Sequence, residues 1–158
     1  MAKFTGAGLA AAANSTVANS GIIKLELGAT VKPMKLYEWE FAPAANSENS
    51  NYGLWIQRQS SAGTWTTAIT PAPLDFLNAQ ASTAVCKSGS TVAGALISNS
   101  VLLQVGCNQA AGYRWVAVPG AEFAVGSTAT PSTGHGIFLA YQFVQGTAVN
   151  SGNFSWDE

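Results

Sequence analysis

Side chains able to do acid-base, nucleophilic or metal chemistry are few in these 158 residues, and they do not gather into a recognisable arrangement. The one histidine, His135, stands between Gly134 and Gly136, in a loop, where folds commonly carry functional groups. A Ser-His-Asp relay needs an acid to orient the imidazole and is identified by geometry rather than chain order. The only aspartates are Asp75, placed to cap a helical turn, and Asp157, near the C-terminus. His135 therefore reads as an ordinary loop histidine. Glu38 and Glu40 lie on one strand face about 7 Å apart by strand rise, a separation compatible with a glycosidase pair. Such pairs normally come from different segments lining a cleft, whereas an acid at every second position describes any half-exposed strand. Gly6-x-Gly8-x-x-Ala11 matches a relaxed dinucleotide fingerprint, but no strand precedes it and no βαβ unit surrounds it. Cys86 and Cys107 form no C-x-x-C and have no histidine cluster nearby, which excludes a zinc site. They are expected as two thiols, with one disulfide as the alternative. No catalytic, cofactor-binding or metal-binding residue is assigned, no cofactor is expected, and the chain does not read as an enzyme.

Trp39, Trp55, Trp65, Trp115 and Trp156 offer another chemistry, the stacking of aromatic faces on sugar rings beside the many Asn and Gln residues. Sandwich domains bury such rings routinely, and alternation places Trp39 and Trp115 on apolar faces. A carbohydrate-binding β-sandwich module is thus the alternative reading, and it predicts solvent-facing Trp and Tyr aligned on one surface.

The elements that must position these groups are short alternating segments separated by Gly, Pro, Asn and Ser, the pattern of an all-β fold. Residues 22–27 form the first clear strand, with Ile23, Leu25 and Leu27 on one face and Lys24 and Glu26 on the other. Residues 34–41 follow, with Tyr37, Trp39 and Phe41 sharing a face, and 43–51 form a polar loop. Residues 52–59 and 64–69 read as strands joined by an Ala62-Gly63 turn, ending where Pro71 and Pro73 forbid continuation. Asp75 can cap a helical turn through Ala81. Residues 82–100 are small and polar, a long excursion with a short strand over 92–97. Residues 101–107 and 113–118 read as a hairpin in which Val101, Leu103 and Val105 face Tyr113 and Trp115. Val118-Pro119-Gly120-Ala121 has the type II turn pattern, since Pro fixes the first central φ and Gly tolerates a positive second one. Short and strong strands follow at 122–125 and 137–144.

The expected fold is all-β: an antiparallel β-sandwich, jelly-roll-like, as a single domain over residues 22–144 with flexible N- and C-terminal arms. Residues 1–21 form an arm or edge strand, and residues 145–158 a tail. Phe154 and Trp156 end that tail, and two aromatics there need burial. They are the candidate partner-contact residues, reaching a neighbouring molecule, with packing back onto their own domain as the alternative.

Composition bounds the partners. A monomer of this size exposes on the order of 7,500 Å², yet it carries 7 Lys+Arg and 8 Asp+Glu, less than half the ordinary charged fraction. Neutral polar groups are desolvated against a partner more cheaply than ions, so this surface suits contact between crowded copies. No basic excess supports nucleic-acid binding, and no apolar run is long enough to span a membrane. Lys3 followed by the stretch 6–13 imitates a signal peptide only faintly, because it is Gly/Ala-rich rather than Leu-rich, and cleavage is not expected.

Two blocks of sequence are more specific than composition. Lys32-Pro33-Met34-Lys35-Leu36-Tyr37, Trp55-Ile56-Gln57-Arg58 leading into Ala62-Gly63-Thr64, and Ala68-Ile69-Thr70-Pro71-Ala72-Pro73-Leu74-Asp75 make up the first. Asn108-Gln109-Ala110-Ala111-Gly112-Tyr113-Arg114-Trp115-Val116-Ala117-Val118-Pro119-Gly120-Ala121-Glu122 is the second. In this order, from about Phe4 to about Val144, the chain resembles small virion structural proteins encoded in the structural gene blocks of tailed phages. None of these strings is a chemical motif, and the segment through Phe154 and Trp156 departs from the family, whose members often end soon after the last strand. The resemblance implies a capsid decoration (cement) protein on the virion surface, assembled in the host bacterial cytoplasm. It further implies the major capsid protein as partner and self-association as a homotrimer. A phage adhesion module is the corresponding form of the carbohydrate-binding alternative.

Overall fold

Alternating side chains punctuated by Gly, Pro and Asn fold into strands throughout, and the described residues contain no α-helix. The computed structural model describes residues 2–12, 20–30, 32–45, 51–61, 63–75, 77, 80–92, 96–108, 110–125, 135–143 and 148–158. The strands are β1 (Lys3–Ala12), β2 (Ser20–Glu26), β3 (Met34–Ala45), β4 (Asn51–Gln59), β5 (Thr64–Ile69), β6 (Ala72–Pro73), β7 (Val85–Val92), β8 (Leu96–Asn108), β9 (Tyr113–Val116), β10 (Phe123–Val125), β11 (Gly136–Phe143) and β12 (Ala148–Asp157). They form two antiparallel sheets. The first runs β10-β3-β12-β1-β6, with β9 also paired to β3, and the second runs β5-β7-β2-β11-β4-β8.

The pairing is that of a doubled ribbon wound around a barrel axis. β1 pairs with β12, β2 with β11, β3 with β9 and β10, and β4 with β8. The wound ribbon then closes laterally, β12 on β3 and β11 on β4. This is jelly-roll connectivity, with β5, β6 and β7 added between its fourth and fifth strands. The core lies between the sheets. Phe4, Leu36, Trp39, Phe41, Phe154 and Trp156 from the first sheet meet Ile23, Leu25, Leu54, Ile56, Ile137 and Leu139 from the second, all at most 1% exposed.

Several expectations change. Residues 148–157 are not a tail but β12, the middle strand of the first sheet, and residues 3–12 are its partner β1 rather than an arm. The chain ends stay with the fold: the Ala2 and Glu158 backbones exchange two hydrogen bonds at 3.0 and 3.1 Å. The excursion at 82–100 contains β7 and the start of β8, because Ser and Thr serve a strand as well as a loop. The expected hairpin of 101–107 with 113–118 does not form, since β8 belongs to the second sheet and β9 crosses to the first, where Tyr113 and Trp115 oppose Phe41 and Trp39. Strand β3 runs to Ala45, beyond the expected loop boundary, and its alternation slips. A register shift opposite Ser155 and Trp156 puts Met34 and Leu36, then Trp39 and Phe41, in the core and leaves Tyr37 half-buried. Asp75 Oδ1 accepts the Leu77 N–H at 3.1 Å, while residues 76, 78 and 79 of the expected helical turn lie outside the described residues, as does Ala62. The turn at 118–121 is present, with Gly120 at φ +89° and the Ala121 N–H donating to the Val118 carbonyl at 2.9 Å.

The two sheets approach so closely at Gly8 of β1 and Gly152 of β12 that no side chain fits at either position. A Cβ on Gly8 would lie 2.4 Å from Ser88 Cβ and 2.7 Å from Ile69 Cδ1, and one on Gly152 would lie 2.8 Å from Ile23 Cγ2. A Cβ on Gly106 would meet nothing within 4 Å. Gly8→Ala is therefore expected to cost about 1–3 kcal/mol by overpacking, while Gly106→Ala leaves stability within about 0.5 kcal/mol. Urea unfolding of the two variants checks this, and equal midpoints would refute close sheet approach as the role of Gly8.

Candidate functional site

Phe154 and Trp156 are fully buried. Trp156 stacks on Phe4 with centroids 6.0 Å apart, and its Nε1 donates to Glu158 Oε1 at 3.3 Å. They are core residues of their own sandwich and not partner contacts, because alternation along β12 turns both toward the second sheet. The other tryptophans do not form a solvent-facing row. Trp39 and Trp65 are buried, Trp55 and Trp115 are half-buried, and Trp115 lies flat on Phe123 at 4.6 Å.

The candidates for chemistry stay apart. His135 precedes β11 in the second sheet and spends its carbonyl on the Leu27 N–H, while Asp157 closes β12 in the first. Glu38 is held by Arg114 at 2.6 Å across the β3–β9 pair, and Glu40 is exposed. Neither cysteine is in a disulfide. Among the described residues, no group of three or more His, Cys, Asp and Glu could hold a metal ion, and no helix is long and apolar enough to cross a membrane.

A buried polar cluster on the second sheet is what the sequence reading missed. Lys24 and Glu26, on the strand face opposite Ile23, Leu25 and Leu27, are 0% and 5% exposed, and their side chains meet at 2.6 Å. Gln59 Nε2 donates to the same Glu26 oxygen at 3.2 Å. The Lys24 ammonium sits 5.4 Å from the centre of the Trp65 ring, which also packs edge-on against Phe138. Trp65 comes from β5, so the strands inserted into the jelly roll supply this cover. Burial pulls the Lys24 pKa below its usual value, against the hydrogen bond and charge of Glu26, which hold it up. One sequence signal pointed here: Ile22 and Ile23 are adjacent, so a strand holding both already departs from one-sided alternation.

A second polar knot fixes the chain ends. The Glu158 carboxylate accepts from the Ser82 hydroxyl, from the Thr83 N–H at 3.0 Å and hydroxyl at 2.9 Å, and from the Ala84 N–H at 3.2 Å. Burial alone would raise its pKa, but these donors outweigh it and hold the carboxyl below its ordinary range. Beside the knot is an open groove of about 650 Å³ lined by Lys3, Pro73, Leu74, Asp75, Gln80 and Glu158. Leu74 and the nearby Leu77 are 51% and 83% exposed. The groove offers Lys3, Asp75 and Glu158 as charged groups beside apolar Pro73 and Leu74. Compared with family models, curated proteins and solved structures, the chain has no match.

Breaking the buried ion pair from one side strands a charge, whereas removing both charges does not. Glu26→Gln is expected to cost about 3 kcal/mol, and Lys24→Met with Glu26→Leu about 1 kcal/mol or less. Urea unfolding of the single and double variants measures both, and equal losses in the two would contradict the pairing. Burial also pushes the Cys86 thiol up to about 12 from 9.0. Between these values the unfolded chain has released a proton that the folded chain keeps, so stability falls as pH rises through this window. Cys86→Ala should decline less steeply than the parent above pH 9, and superimposable profiles would rule out the buried thiol as a cause.

Proposed function

We propose that this chain is a structural protein of a tailed-phage particle, a decoration (cement) protein that binds major capsid protein subunits on the head surface and reinforces the lattice. The observation that carries this reading is the scarcity of surface charge. Of fifteen charged side chains, Lys24 and Glu26 are consumed inside the fold. At most thirteen remain over 7657 Å², roughly one per 600 Å², where an ordinary chain would carry more than twice as many. Such a surface is easily desolvated by protein and poorly suited to a solitary existence.

Three further features support it. The resemblance to small phage virion proteins read from the blocks at 32–75 and 108–122 points the same way. Jelly-roll connectivity is common in capsid components, although fold alone does not specify function. The Ala2 and Glu158 backbones are hydrogen-bonded to each other at the first sheet, so this part of the surface is preorganised and loses little conformational entropy on docking. Copies on neighbouring lattice sites gain from avidity, so each contact can be weak.

Because few ions take part, attachment should resist salt. Purified protein is expected to co-sediment saturably with tailed-phage heads that lack their decoration, with affinity changing less than about threefold from roughly 0.05 to roughly 0.5 M salt. Protein that stays in the supernatant with both empty and DNA-filled heads would refute the proposal.

A further inference from the structure

We infer that β8 is a self-association seam at which two copies of this chain pair antiparallel about a two-fold axis, extending the second sheet from one protomer into the next. Sheet edges are templates for further pairing, and proteins blunt them with brevity, proline or charge. Three of the four edges here are blunted. In the first sheet, β6 has two residues including Pro73, and the opposite flank consists of the short strands β9, with Arg114, and β10. In the second sheet, β5 has six residues and stops before Pro71. The edge at β8 is neither short, nor charged, nor broken by proline, although its pairing with β4 shifts register on either side of Gln57. It is the longest strand, at 13 residues, and among the described residues it pairs only with β4. No charged residue and no proline occur between Lys87 and Arg114.

The side chains of β8 tell the same story. Leu103 and Val105 stand in register with Ile56 and Leu54 of β4. Those β4 residues are completely buried, yet Leu103 and Val105 remain half-exposed, and Val101 is 48% exposed. Leu103 and Val105, which pack against the core, are thus left partly uncovered at this rim, while Val101, opposite Gln57, is exposed. A second copy laid against β8 continues their row with identical residues, and its lack of charge lets the strand meet itself without like-charge repulsion.

Strand length selects the symmetry. Head-to-tail pairing of β8 with a neighbour's β5 generates a ring, as a trimer requires, but six residues cover less than half of thirteen. Pairing of β8 with its own copy covers the whole edge. At about 3.4 Å per residue the seam is about 44 Å long and about 10 Å deep, or about 900 Å² over both protomers. Stable interfaces begin near 1,200 Å², so the dimer should be weak and concentration-dependent, with dissociation in the range of roughly 1–100 μM. This inference stands apart from the capsid reading, since it concerns the isolated protein.

Sedimentation velocity of the full chain across that range is expected to show a monomer converting to a dimer. Val101→Lys with Gln104→Lys, both at exposed positions, should give a monomer with unchanged thermal unfolding. Thr67→Lys on β5 should leave the dimer intact. Hydrogen exchange of the unsubstituted protein supplies a check that needs no variant: amide protection over 101–106 should rise with concentration. A monomer at every concentration overturns the inference. So does a trimer dissolved by Thr67→Lys, a dimer indifferent to the two β8 lysines, or protection that does not change.

Discussion

The first sheet depends on one strand that the chain supplies last. β12 is hydrogen-bonded along its length to β1 on one side and to β3 on the other, so without it the two strands flanking it have no common partner. The bond from the Thr5 hydroxyl to the Phe154 carbonyl joins residues 149 positions apart. Closing such a loop costs chain entropy before burial of Phe154 and Trp156 returns anything. The pairing of β1 with the β3 side of the sheet, and the Glu158 knot at the end of β12, depend on that closure.

Closure also imposes the close approach between the sheets. β1 and β12 can lie tight against β2 and β7 only because Gly6, Gly8 and Gly152 carry no side chain where Cys86, Ser88, Ile69 and Ile23 project. A smooth, small-residue patch on the first sheet thus matches bulkier side chains on the second. On the far face of the second sheet, the strands added to the jelly roll bring Trp65 over Lys24 and Glu26. The second sheet is therefore covered on both faces around β2, which explains why a strand with two lysine- and glutamate-bearing positions carries them at almost zero exposure.

The sequence revealed the fold class because alternation is a local property. The strands at 22–27, 52–59, 64–69 and 137–144 were legible from side-chain order alone, and the turn at 118–121 from Pro119 and Gly120. Partnership between strands is not local. Residues 101–107 and 113–118 looked like hairpin arms because they are adjacent and apolar, yet a jelly roll sends consecutive strands to opposite sheets, and nothing within either segment records that. The same blindness turned Phe154 and Trp156 into a sticky tail: their apolar character was read correctly, but the partner that buries them, Phe4, lies at the opposite end of the chain. The burial of Lys24 and Glu26 was not legible because charge is normally a sign of solvent, and only a tertiary neighbour such as Trp65 overrides it.

Removing the supposed arms changes how binding to a lattice would work. A disordered tail orders on contact and surrenders conformational entropy each time it docks, whereas a sandwich with both ends hydrogen-bonded into its sheet has already lost that freedom during folding. Weak contacts then suffice, provided many copies engage together. The cost of this arrangement falls on solubility rather than on affinity: a surface with so few ions and one unguarded strand edge has little to keep copies apart. Inside a regular lattice the same deficit becomes useful, because the spacing of the sites decides which copies can touch and the uncharged surfaces offer no repulsion when they do.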